Sequence, residues 1–229
     1  MSPVLSAQLQ LTPVADRQPV KIMLLRPRGT LYWGGAGLDG PYIQPQLQAF
    51  RDAGIRKCFV GLTNSGSQSF RDFRGTILDA IRSGLIIRYR DDDEWTITSG
   101  MADEAEQFNL VGYSYGSLLA AQTAWSYANR MNVVIDHLVL VGSPIDGGFL
   151  QDLRTHPNIR KVVVINLTQY GDPLHAGMTE VELMTGVPKL AMQFKGGKGE
   201  GHFYYAQVVQ DSPARWAALA KQIAAAGVR

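Results

Sequence analysis

The chain has 229 residues with 22 Lys and Arg against 20 Asp and Glu, a net charge of +2. That is too near balance for a surface that tracks phosphates, no Lys/Arg block appears, and nucleic acid is excluded as the expected partner. With 45% apolar residues, 18% charged and 24 glycines, the composition is that of a turn-rich globule burying roughly 70% of its unfolded surface, not of a disordered tail or a coiled coil.

Met1 to Val20 carries neither a basic nor an apolar signal region, and no apolar run reaches the roughly 18 residues of a membrane helix. The expectation is a soluble chain, cytoplasmic as synthesised, for which export would have to be signal-independent. No repeat, low-complexity tract or linker divides it, so residues 1–229 read as one domain. In chain order the pattern gives a strand over Val20 to Leu25, a helix over Pro45 to Ala53 with proline near its start, and a strand over Lys57 to Leu62. The single cysteine, Cys58, lies in that strand as a core thiol; alone, it excludes an internal disulfide and a multi-cysteine metal cluster. A helix over Phe70 to Ile81 and a charged β-excursion over Leu85 to Thr98 follow. Then come a strand over Phe108 to Val111, a helix over Tyr115 to Arg130, a strand over His137 to Val141 and a short helix around Phe149 to Arg154. Strands over Lys161 to Leu167 and Leu190 to Phe194 precede a last helix over Ala214 to Ala226. The strands are apolar on both faces rather than alternating, as in a parallel sheet buried on both sides. The fold class is α/β, with a mostly parallel sheet, helices on both faces, and a ligand site at the carboxyl ends of the strands.

Gly112-Tyr113-Ser114-Tyr115-Gly116 fits G-x-S-x-G. The pattern alone is weak, but it follows directly on a buried strand and precedes a helix with Leu118, Ala121, Trp125 and Ala128 on one face. A serine at such a turn sits in a strained backbone that pushes its hydroxyl out of the sheet, and glycines two before and two after let strand and helix close up. The plainer alternative is a serine that only caps the helix.

Asn109-Leu110-Val111-Gly112-Tyr113-Ser114-Tyr115-Gly116 resembles the nucleophile elbow of the α/β-hydrolase superfamily in its lipase and esterase form. The resemblance implies an α/β-hydrolase fold with a triad ordered serine, acid, histidine along the chain. A serine hydroxyl needs a histidine to take its proton, and a carboxylate to fix that histidine's tautomer. Of the four histidines, His137 opens a strand and His156 lies in a polar turn. His202, in the loop Gly196-Gly197-Lys198-Gly199-Glu200-Gly201-His202-Phe203, matches the superfamily's base, read as following the last strand. Asp172, in Tyr170-Gly171-Asp172-Pro173, resembles its acid; Asp146, in Gly142-Ser143-Pro144-Ile145-Asp146, is the rival. His175 reads as a loop or pocket-lining residue. The oxyanion hole implied by the resemblance takes one N–H from Tyr115 and a second from the glycine-dense loop Thr30 to Gly37. There Trp33-Gly34-Gly35 is similar to the family's His-Gly-x segment, with tryptophan in place of histidine, making Gly35 the donor and Ala36 its alternate.

The function implied is a serine hydrolase of carboxylic esters with Ser114 as nucleophile, His202 as base and Asp172 as orienting acid, without metal or organic cofactor. The short stretch between Val141 and Lys161 leaves no room for a large lid, and Tyr113, Tyr115, Phe149, Leu174, Met178 and Phe203 are expected to form an apolar acyl wall. A lipid-like acyl ester follows as substrate. The chain is also similar to small bacterial lipases and phospholipases, including effectors delivered into rival cells. That likeness implies contact with a membrane surface and a neutralising partner protein. Thioesterase or amidase chemistry on the same triad, and a non-catalytic binding protein on a hydrolase scaffold, stay open.

Overall fold

Each strand presents two apolar faces. Leu31 and Trp33, Phe108 and Leu110, and Leu138 and Leu140 pack into one buried cluster, while the residues between and beyond them, Tyr32, Val111, Tyr113, Val139 and Val141, pack into another. Such strands need cover on both sides, which the α/β arrangement supplies. The computed structural model describes residues 28–35, 40–60, 62–63, 95–96 and 106–229. Among them a five-stranded sheet is built from β1 (Gly29–Trp33), β2 (Cys58–Val60), β5 (Phe108–Tyr113), β6 (His137–Val141) and β7 (Val162–Ile165). The strands lie in the order β2-β1-β5-β6-β7, all parallel. A separate antiparallel pair joins β3 (Leu62–Thr63) to β4 (Trp95–Thr96), and the latter is the described part of the expected β-excursion.

Helices α2 (Tyr115–Arg130), α3 (Gly147–Thr155) and α4 (Glu180–Gly196) cover the face of Leu31 and Leu110. Helices α1 (Ile43–Asp52) and α5 (Ser212–Ala225) cover the face of Tyr32 and Val111, through Leu47, Phe50, Trp216, Leu219 and Ile223. The chain leaves β1 toward one edge and returns at β5 to run toward the other. The carboxyl ends of β1 and β5 therefore flank the point where strand order reverses, the usual crevice for ligands in such sheets. None of the helices among the described residues is long and apolar enough to cross a membrane.

Three expectations change. Thr30 to Trp33, read as part of a glycine-dense loop, is strand β1, because the β-formers Thr, Leu, Tyr and Trp pair with β2 and β5. Leu190 to Phe194, read as a strand, is the end of α4. A capping box, with the Thr179 side chain accepting from Glu182 N–H and Glu182 accepting from Thr179 N–H, starts this helix, and Leu183, Gly186, Leu190 and Gln193 form its buried stripe. The base loop consequently follows a helix rather than a strand. The expected strand at Val20 to Leu25 and helix at Phe70 to Ile81 lie outside the described residues.

Close approach at the sheet's centre makes two glycines indispensable. A Cβ on Gly116 would penetrate the carbonyls of Gly34 and Trp33, and one on Gly112 would penetrate the backbone of Gly116 and Ser117. Gly116→Ala is expected to destabilise the fold by about 2–3 kcal/mol, read as a lower denaturation midpoint at unchanged slope. Burial pushes the Cys58 thiol up to about 12, so its thiolate fraction at pH 8 is on the order of 10⁻⁴. A thiol reagent at pH 8 should modify the native protein far more slowly than the denatured chain. Rapid stoichiometric labelling of the native protein would contradict the buried position of β2.

Candidate active site

Ser114 joins β5 to α2 without a loop, so one residue must turn the chain from extended to helical. It does so at φ 56° and ψ −124°, a conformation rare for a residue with a side chain. Its N–H donates to Val141 O at 2.8 Å, which ties the turn to the end of β6. The hydroxyl makes no capping bond to α2. It lies instead 2.6 Å from His202 Nε2.

His202 comes from the 3₁₀ turn Gly201–Phe203 that follows α4 and the glycine-rich loop. The residue is 5% exposed, its ring stacked on Tyr113 and met edge-on by Phe203. Nδ1 lies 2.8 Å from Asp172 Oδ2. Asp172 is 4% exposed and sits just beyond the 3₁₀ turn Thr168–Tyr170 at the end of β7. Its other oxygen, Oδ1, accepts from Leu174 N–H at 2.8 Å. A carboxylate can only accept here, so the hydrogen-bond network puts the imidazole proton on Nδ1 and leaves Nε2 to accept from the Ser114 hydroxyl. Backbone bonds also fix both turns. Asp172 N–H donates to Leu167 O at 3.2 Å, and the Tyr113 hydroxyl donates to His202 O. Burial, reinforced by Tyr42 and then Asp172, raises the Tyr113 phenol well above its ordinary range and keeps it a donor.

The structure thus brings Ser114, His202 and Asp172 into one hydrogen-bonded line. Asp146 is employed elsewhere: it is the N-cap of α3, with Oδ1 accepting from Gly148 N–H at 2.8 Å and Phe149 N–H at 3.0 Å. His137 pairs with Asn109 Oδ1 at 2.9 Å, and burial lowers its pKa. His156 packs edge-on against Trp125. His175 is half-buried and contributes to holding the Glu182 carboxyl low, after the larger effect of the Thr179 hydrogen bonds.

The residues expected to supply an oxyanion hole lie at the first turn of α2 and just after β1. Tyr115 is the first residue of α2, where the helix dipole favours negative charge. Gly35 follows β1, and its N–H donates to Tyr42 Oη at 2.6 Å; an incoming oxygen would have to exchange with that hydroxyl. Ala36 lies outside the described residues. Of the expected acyl wall, Tyr115, Phe149, Leu174 and Met178 share one buried cluster, whereas Tyr113 faces the opposite side of the sheet and supports His202 from beneath. Sequence reasoning missed Tyr42 and Gln193. Tyr42 gives no signal in the sequence. Gln193 does, as a polar residue on the buried stripe of α4. Among the described residues, no group of three or more His, Cys, Asp or Glu side chains is placed to hold a metal ion. Comparison with protein-family models, with curated proteins and with solved structures finds no match to this chain.

The two acids have different jobs in this arrangement, and two variants separate them. Asp146→Ala should cost about 1 kcal/mol of stability through loss of the cap while leaving the Ser114–His202 pair, and any turnover it supports, within about a factor of ten. Asp172→Asn should keep the melt near wild type and cut turnover on the order of ten-thousand-fold. Thermal melts and initial rates on both variants check the pair of outcomes.

Proposed function

We propose that this chain is a serine hydrolase of α/β-hydrolase fold that cleaves carboxylic esters with apolar acyl chains. The observation that carries the reading is the unbroken line from Ser114 Oγ through His202 to Asp172, with separations of 2.6 and 2.8 Å, launched from a strained turn whose hydroxyl takes no part in capping. Strain is retained where the surroundings over-determine it, and an uncapped serine beside a buried imidazole has the geometry of an activated nucleophile.

In this mechanism Ser114 Oγ attacks the acyl carbonyl carbon as His202 Nε2 takes the hydroxyl proton. The carbonyl π electrons move onto oxygen, and the resulting oxyanion lies against Tyr115 N–H and, after exchange with Tyr42, Gly35 N–H. Each such donor is worth on the order of 3 kcal/mol of barrier. Asp172 stabilises the imidazolium. Collapse of the tetrahedral intermediate breaks the ester C–O bond, and Nε2–H gives its proton to the departing alkoxide. Water then attacks the acyl-enzyme by the same route and releases the acid.

The apolar acyl preference is supported by the Tyr115, Phe149, Leu174 and Met178 cluster beside the turn. It is supported also by α4, which turns Val181, Met184 and Met192 outward on one face, a surface suited to substrates presented with other apolar material.

A fluorophosphonate probe should label the wild-type protein at Ser114 and fail on Ser114→Ala, which should fold normally because only a hydroxyl is lost. In a panel of matched acyl esters, thioesters, amides and phospholipids, esters with apolar chains are expected to turn over fastest. Retention of more than about a hundredth of wild-type turnover in Ser114→Ala would remove the serine from the chemistry, since losing a triad member costs far more.

A further inference from the structure

The catalytic line depends on two turns that come from different parts of the chain, and one side chain touches both. Gln193 is 7% exposed on the inner stripe of α4. Its Oε1 accepts from His202 N–H at 3.0 Å. Its Nε2 donates to Gly171 O at 2.9 Å. Gly171 immediately precedes Asp172, so a single carboxamide spans the peptide of the base and the peptide entering the acid. The orientation of the amide is not ambiguous: a backbone N–H needs an oxygen and a backbone carbonyl needs an N–H, and only one way round satisfies both.

The surroundings are shaped to this bridge. Gly201 has φ +57°, and a Cβ there would run into the Gln193 amide; Gly171 has φ +89°, a left-handed turn that favours glycine. The remaining ends of the two peptides are also tied. Asp172 N–H goes to Leu167 O and Gly201 O receives Tyr204 N–H, while the next carbonyl, His202 O, receives the Tyr113 hydroxyl. Tyr170 and Tyr204 stack at 3.7 Å between centroids, an outer tie between the same two turns. Gln207 holds a different part of the loop, accepting from Gly199 N–H and donating to Phe194 O. Of these ties, Gln193 is the one that bonds directly to the base residue and to the residue before the acid.

We propose that Gln193 is a positioning residue for the hydrolase: it sets the separation of Asp172 and His202 by clamping their two backbones to one amide. This rests on the serine-hydrolase reading. A triad works through alignment, and a displacement of about 1 Å costs on the order of a hundredfold in rate. A residue that only supported the fold would show its loss in stability, or in KM and kcat without pattern. A clamp shows it in kcat, because substrate binding does not need the imidazole aligned whereas proton transfer does.

The test is Gln193→Met, which keeps length and apolar volume and deletes both hydrogen bonds. The expected result is a folded protein whose kcat falls by about tenfold to a hundredfold while KM stays within about twofold. Fluorophosphonate labelling of Ser114 should slow in parallel. The low-field proton resonance of His202 Nδ1–H should shift or broaden by exchange with water as the contact to Asp172 loosens. Gln193→Asn, a polar side chain too short to reach both partners, carries the same readouts and the same expectation if the methionine variant does not fold. A folded variant with kcat within about twofold of wild type, or a loss carried by KM alone with an unmoved resonance, overturns the proposal. Should the wild-type protein show neither labelling nor turnover, the hydrolase reading falls. The resonance still judges the clamp in that case: movement in the variant supports it, and an unmoved signal rejects it.

Discussion

Everything at the site depends on one backbone constraint: β5 passes into α2 through Ser114 alone. A positive φ at a residue with a side chain costs on the order of 1–3 kcal/mol, and the surroundings must hold it. They do so by crowding. Gly112 and Gly116 bring strand, helix and the end of β1 to backbone contact, and Val141 O fixes the Ser114 N–H. The same crowding places the carboxyl end of β1 against the first turn of α2, so Ser114, Tyr115 and Gly35 are positioned by a single packing event. A hydroxyl in this position has no helix N–H to cap, and the nearest acceptor offered to it is an imidazole nitrogen.

The second half of the site is assembled differently. His202 sits in a 3₁₀ turn and Asp172 just beyond another, and neither turn has a sheet ladder to fix it. Their rigidity comes from side-chain bonds to backbone: Gln193 to Gly171 and His202, Tyr113 to His202, Gln46 to Tyr205 at 2.9 Å and Trp216 to the same carbonyl at 2.9 Å. Arg215 adds a bond to Tyr204 O and lies 4.0 Å above the Tyr204 ring. Each buried bond of this kind favours one geometry, because breaking it leaves a donor or acceptor unpaired in a low dielectric. Loops held in this way do the work that a strand does for Ser114.

This difference in assembly explains what was legible in the sequence. The elbow could be read because its determinants are local: a strand apolar on both faces, glycines at fixed offsets, and a helix whose apolar residues fall at helical spacing. Asp172 and His202 could be named from chain order, but the reading left Asp146 open because helix capping and imidazole pairing are indistinguishable as Asp in a polar turn. Leu190 to Phe194 reads as a strand although it lies in α4, since a short apolar run fits either period. The capping pair Thr179 and Glu182 is the local sign of this helix, which runs through Pro188. Tyr113 was placed on the acyl wall, whereas strand alternation puts it on the face of Val111. Tyr42 was not legible at all, because its contact with Gly35 depends on how α1 packs on the sheet and on nothing nearby in the chain.

The tie between Gln46 and the carbonyl of Tyr205 joins residues 159 positions apart, and it has a temporal consequence. A ribosome releases the strained serine long before it releases the histidine, and the last helix, α5, supplies Trp216 to the same carbonyl. Until α5 has emerged and docked on α1, the turn at Ser114 exists without its imidazole partner. The Ser114–His202 contact is therefore made only when α1 and α5 are both in place, later than the local turn that presents the serine.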